Sequence, residues 1–132
     1  MKDARLEEIA LRHGVRLVLQ FGSTVSGRVH PRSDVDLAVL LHRSSVSLRE
    51  HADLLHDLQS LYPDREVDLV LINHADPLLL KKVMEAPRLL YGTVRQVQEL
   101  RIYAFKRHQD HRKYFDLERE FVARLAGSAT AP

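Results

Sequence analysis

Cysteine is absent from the 132 residues. That excludes a disulfide framework and thiolate zinc sites, and it fits a reducing compartment, so a cytoplasmic location is expected. No apolar run approaches the roughly 18 residues of a membrane span, and the first residues, MKDARLEEIALRHG, are charged throughout, unlike a secretory leader. Aromatic residues amount to only 6%, and no aromatic-rich platform for stacking bases is visible. There is no G-x-S-x-G or Ser-His-Asp arrangement of a hydrolase, no internal repeat and no interdomain linker. Net charge is small, +2 from 20 basic and 18 acidic residues.

With 45% hydrophobic and 29% charged residues, the chain has the composition of one globular domain with one core. Its basic residues cluster in RQVQELRIYAFKRHQDHRK, residues 95–113. Such a stretch is either a solvated helix face or a surface for an acidic partner or RNA.

Residues 3–13 read as a helix, with Asp3 as cap, Leu6, Ile9, Ala10 and His13 on one face, and Gly14 as terminator. GVRLVLQF (14–21), VDLAVLL (35–41) and EVDLVLI (66–72) read as strands. Between the last two, Leu48, Ala52, Leu55, Leu58 and Tyr62 recur at helical spacing. Asp76-Pro77 starts a further helix that ends before Pro87, and Arg88–Tyr91 is a short edge strand closed by Gly92. From Val94 the pattern is helical to about Leu125, with Tyr114, Leu117, Phe121 and Leu125 as an apolar stripe; KRHQDHRK is an exposed turn of this helix or a break in it. The fold class expected from this order is α+β, a small mixed sheet flanked by helices.

SDVDLAVLL raises a question that packing alone does not answer. Alternation sends Asp34, Asp36, Ala38 and Leu40 to one face of the strand, so two carboxylates sit roughly 6 to 7 Å apart. Asp68 starts the next apolar strand and can join them if the strands are neighbours. Like charges this close repel unless a cation lies between them. Three converging carboxylates are hard oxygen ligands of the kind Mg²⁺ prefers, and two such ions can clamp the attacking and leaving oxygens of a phosphoryl or nucleotidyl transfer. The alternative is that Asp34 belongs to a turn while Asp36 and Asp68 cap strand ends in water.

The preceding loop separates these alternatives. Gly22 and Gly27 have P-loop spacing, but Arg28 stands in the lysine position and Val29 in that of the hydroxyl. A strand ending at Phe21 is instead followed by Gly22, whose backbone can approach a phosphate closely, and Ser23, which offers a hydroxyl. The complete unit is G-S-x10-D-x-D on a strand–turn–strand frame, with Asp68 in a later strand.

This unit resembles that of the minimal nucleotidyltransferase (MNT) family within the DNA polymerase β-like superfamily, and the resemblance covers most of the chain. Residues 76–91 and YFDLEREFVARL (114–125) are similar to the same family's later helices. The residues of GSATAP predict a disordered tail over 126–132, and the resemblance implies the nucleotidyltransferase fold over residues 1–125, with a C-terminal helical segment over about 94–125. It implies ATP as substrate and Mg²⁺, two ions, as cofactor. Asp34 and Asp36 would be the metal-binding pair, and Asp68 the third carboxylate that orients or deprotonates the attacking hydroxyl. Gly22 and Ser23 would bind the triphosphate. Many MNT proteins are antitoxins paired with a HEPN-domain ribonuclease toxin, and similar antitoxins transfer AMP to a tyrosine on it. A hetero-oligomer with such a toxin is therefore expected.

The chain departs from the family in having Val25-Ser26-Gly27 where Ala-Arg-Gly is common, which leaves Arg28 or Arg32 as the replacement arginine for ATP. Arg101 and His108 have the R-x6-H spacing of HEPN ribonucleases, a chance match in a segment so rich in both residues. His51 with His56 and His108 with His111 lack a companion Cys or carboxylate cluster and read as solvated helix residues. Three readings remain open. The chain is an AMP transferase acting on a protein hydroxyl, an antitoxin that works by binding alone, or a nucleotidyltransferase acting on a small molecule or an RNA end.

Overall fold

The computed structural model describes residues 2–22 and 34–130. The elements in chain order are α1 (Lys2–His13), β1 (Val15–Phe21), β2 (Val35–Leu41), α2 (Leu48–Gln59), β3 (Val67–Leu71), a 3₁₀ turn (Ile72–His74), α3 (Pro77–Glu85), β4 (Arg88–Tyr91) and α4 (Val94–Thr130). The strands form one sheet in the order β3-β2-β1-β4. β1 pairs antiparallel with β2 and β4, and β2 pairs parallel with β3, so the sheet is mixed, as the order of elements predicted.

Both faces of the sheet are covered, which is why its strands read as near-continuous apolar runs. Val35, Leu37, Val39 and Leu41 of β2 join α1 and α2 residues such as Ile9 and Leu58 in one core layer. Ala38, with Leu17, Leu19 and Phe21 of β1, packs against Leu80, Val83 and Met84 of α3 and Leu100 and Ala104 of α4 in the other. Leu17, Leu19 and Leu37 are fully buried, each stabilising the fold by about 1.5–3 kcal/mol relative to exposure. Strict alternation would place Val15 on the face of Leu17. A register shift between these two residues turns Val15 to the face of Val18 instead.

The helices differ from expectation in three places. α1 begins at Lys2, so Asp3 lies in its first turn rather than capping it. In α2 the buried line is Leu54 and Leu58, followed by Leu61 beyond the helix end. Leu48 is 86% exposed because it sits in the first turn, where Ser47 and Glu50 form a capping box before the helix reaches the sheet. Ala52 is exposed too, while Leu55 and Tyr62 pack partly against the core. α4 runs without a break through KRHQDHRK, and Tyr114, Leu117, Phe121 and Leu125 are 55–68% exposed rather than core.

Two side-chain amides position the strands around the carboxylates. Gln59 accepts from Val67 N (2.9 Å) and donates to Tyr62 O (3.0 Å) and Arg65 O (2.6 Å), which fixes where β3 starts. Asn73 exchanges hydrogen bonds with Leu41 N (2.9 Å) and Leu41 O (3.0 Å), closing the far end of β2.

A polar latch joins α1 to α2. His13 Nε2 lies 2.6 Å from Asp57 Oδ2, and Arg12 Nη1 lies 3.3 Å from the same oxygen. The hydrogen bond from His13 chiefly, then the Arg12 charge, holds the Asp57 carboxyl below its usual range. A depressed carboxylate contributes stability above its unfolded pKa of about 3.9, and that contribution is lost as pH falls through the folded value. Asp57→Asn is therefore expected to destabilise the fold at neutral pH. Urea midpoints of the two proteins should converge as pH falls below the folded value; a gap unchanged across the acid range would refute the latch.

Candidate active site

The site is built where three strand ends meet. β1 ends at Phe21, which pairs with Asp36 across the antiparallel ladder. In the parallel ladder Asp36 pairs with Asp68, and Val35 N donates to Glu66 O at 2.8 Å just before them. Paired residues on adjacent strands, about 4.8 Å apart, project to the same face. That face belongs to the α3–α4 layer, since Ala38 and Val70, two residues on from each aspartate, pack there.

Gly22 completes this corner. Its φ is +83°, in the left-handed region, and a Cβ at this position would collide with Asp36 Oδ2. The glycine is thus required twice: by the backbone turn leaving β1 and by the carboxylate that occupies the space a side chain would take. Asp34 stands immediately before β2 and is exposed, as is Asp68, while Asp36 is half-buried. Ser23, Arg28 and Arg32 lie outside the described residues.

The electrostatics are those of carboxylates gathered without a full counter-charge. Burial pushes the Asp36 carboxyl above its usual range; Asp68 adds to the rise, Lys82 opposes it, and Asp34 adds again. Both other predicted aspartates therefore act on Asp36. Among the described residues no group of three His, Asp or Glu side chains is already closed around a metal position. The strand register brings together the Asp36–Asp68 pair, with Asp34 beside it. This donor set is hard, anionic and underneutralised, which fits Mg²⁺.

Lys82 was not singled out by any motif. It lies on α3, whose Leu80, Val83 and Met84 are buried against the sheet, and among the described residues it is the cation that acts on the Asp36 carboxyl. Lys82→Met is expected to raise the Asp36 pKa further, because a charge that opposes the rise is removed. Carbon-detected NMR titration of the Asp36 carboxyl would check this; an unmoved or lowered value would separate Lys82 from the site.

Comparison with known proteins identifies the family of this fold. The family model "Polymerase beta, Nucleotidyltransferase" matches residues 5–96. No curated protein gives a significant match. Among solved structures, one of a toxin–antitoxin with AMP-PNP is similar at a TM-score of 0.76 and 22% identity, covering 93% of this chain and 99% of that one. A tri-AMPylated Shewanella oneidensis HEPN toxin in complex with MNT antitoxin gives 0.69 and 20%, covering 92% and 96%. Spectinomycin adenyltransferase AAD(9) from Enterococcus faecialis, with ATP and spectinomycin, gives 0.56 and 16%, covering 75% of this chain and 58% of that one. The match spans α1 to the start of α4 and includes every strand that carries the aspartates; the chain belongs to the polymerase beta nucleotidyltransferase family.

Proposed function

We propose that this nucleotidyltransferase moves AMP from ATP to a hydroxyl, a tyrosine, on a HEPN-domain toxin, and so acts as its antitoxin in the cytoplasm. The observation that carries the reading is the Asp36–Asp68 pair in strand register beside Gly22. Asp34, Asp36 and Asp68 would hold Mg²⁺, and Gly22 with Ser23 and Arg28 would bind the triphosphate. Magnesium supplies charge stabilisation at the phosphates when bound. The acceptor oxygen attacks the α-phosphorus, the bond from that phosphorus to the β-bridging oxygen breaks, and pyrophosphate leaves. Asp68 orients the acceptor hydroxyl, and its proton passes to the carboxylate and on to water. The chain's own contribution is alignment and electrostatics in a preformed corner.

The choice of a protein acceptor is supported by the neighbours. The chain aligns with 99% and 96% of the two toxin–antitoxin chains but with 58% of the spectinomycin enzyme. One of those complexes contains an AMPylated toxin, and the other an ATP analogue. The test uses ATP labelled at either the α- or the γ-phosphate, Mg²⁺ and the product of the neighbouring gene, expected to be a HEPN-domain protein. The expected result is α-label on the toxin and γ-label only in pyrophosphate. A stable complex with no label transferred would replace this reading with an antitoxin that works by binding alone.

A further inference from the structure

α3 separates the carboxylates from a second feature. Lys82 lies within electrostatic reach of Asp36, whereas Lys81 and Glu85 border a groove of about 350 Å³ between α3 and α4, floored by Met84, Ala104 and Phe105. At His108 this groove meets a second hollow of about 380 Å³, which runs past Leu78 and Phe115. Beyond it a third hollow, bounded by α4 alone, reaches Val122.

The groove has an apolar floor and a basic edge. Arg101, His108, Arg112 and Arg119 are spaced by seven, four and seven residues, which places them along one side of α4 over about 27 Å. Counting histidines, six basic residues border the groove against three acidic ones, Glu85, Asp116 and Glu118. Arg101 is engaged with Met84 O at 3.1 Å. Arg112 and Arg119 make no ion pair with any described residue. His108 Nδ1 and His111 Nε2 are buried without any hydrogen-bond partner. Both atoms are closed off by their own surroundings, so the basic edge open to a ligand is that of Arg112 and Arg119.

We propose that the α3–α4 groove is the docking site for an amphipathic helix of the partner protein, apolar on one face and rich in Asp and Glu along one edge. An apolar helix face seated between two helices is a recurring mode of recognition. α3 has nine residues, about 13 Å, so between the two helices the groove seats roughly two to three turns, and the rest of the docked helix would lie along α4 alone. Carboxylates on its edge would meet Arg112 and Arg119. The α4 of a second copy would bring the same basic edge against this one. This inference rests on the reading that the acceptor is a protein. A helix in the groove would lie against one flank of α3 while the other flank, with Lys82, faces the transfer site.

The test measures binding of the HEPN-domain protein to the full chain by calorimetry, with ATP-analogue binding followed on the same samples. Arg112→Glu/Arg119→Glu, both on the exposed side of α4, is expected to weaken the partner at least about tenfold. Arg95→Glu, basic but outside the groove, should change it less than about twofold, and nucleotide binding should be unaffected in both. Partner affinity unchanged by the double reversal overturns the docking site. So does a wild-type chain that binds nucleotide but no partner, or one that binds a single-stranded RNA through Arg112 and Arg119 in the partner's place. A chain that binds the partner through these arginines but no nucleotide upholds the docking site and removes the transfer reading instead.

Discussion

Asp36→Asn is expected to abolish nucleotidyl transfer and, at the same time, to stabilise the fold. Asp36 is the member of the carboxylate group that is half-buried, in register with Asp68 and pressed by Gly22. Losing metal stabilisation of several kcal/mol corresponds to roughly a 10³-fold loss of rate. The stability sign runs the other way. The folded pKa of Asp36 is raised, by burial first and then by Asp68, so its ionised form disfavours the native state at neutral pH. That cost disappears as pH falls below the unfolded value of about 3.9. The variant should therefore melt above the wild type at neutral pH and level with it in acid. A rate within tenfold of wild type would remove Asp36 from the chemistry. A lower melting temperature would mean that the carboxylate serves the fold.

Gly22→Ala is expected to damage both properties together. A left-handed backbone with a Cβ costs about 1–2 kcal/mol, and Gly22 has φ +83°. The new Cβ also runs into Asp36 Oδ2 and must turn that carboxylate away from its present position. Misplacing a reacting group by about 1 Å costs on the order of 10²-fold in rate. In an Asp36→Ala background the collision is absent and only the backbone cost remains. The stability loss from Gly22→Ala should therefore be smaller there, and equal losses in both backgrounds would show that Gly22 does not pack on Asp36.

The strand half of this site was legible because alternation is local. Asp36 and Ala38 had to share a face, as did Asp68 and Val70, and only the adjacency of β2 and β3 remained open until their parallel register was seen. Lys82 was not legible, since an exposed lysine on α3 reaches Asp36 only through the packing of Leu80 and Val83 against the sheet. Apolar periodicity also misled. It reports a stripe and not what covers it: Leu48 recurs at helical spacing with Leu55 and Leu58, yet its position in a capped first turn keeps it in solvent. The stripe Tyr114, Leu117, Phe121 and Leu125 was read correctly as apolar, yet no other element buries it among the described residues. The turn of Val15 to the opposite face came from a pairing shift in β1 that depends on its partner strand.

The central claim is that the aspartates of β2 and β3 hold a divalent ion against a nucleotide. Electron paramagnetic resonance of Mn²⁺, which takes the same carboxylate and phosphate oxygens as Mg²⁺, tests it most directly. Mn²⁺ is titrated into the wild-type chain with ATP, and into Asp36→Asn and Asp68→Asn under the same conditions. The account predicts an ion bound together with ATP by the wild type and weakened at least about tenfold in each variant. Equal Mn²⁺ binding by all three proteins would contradict it.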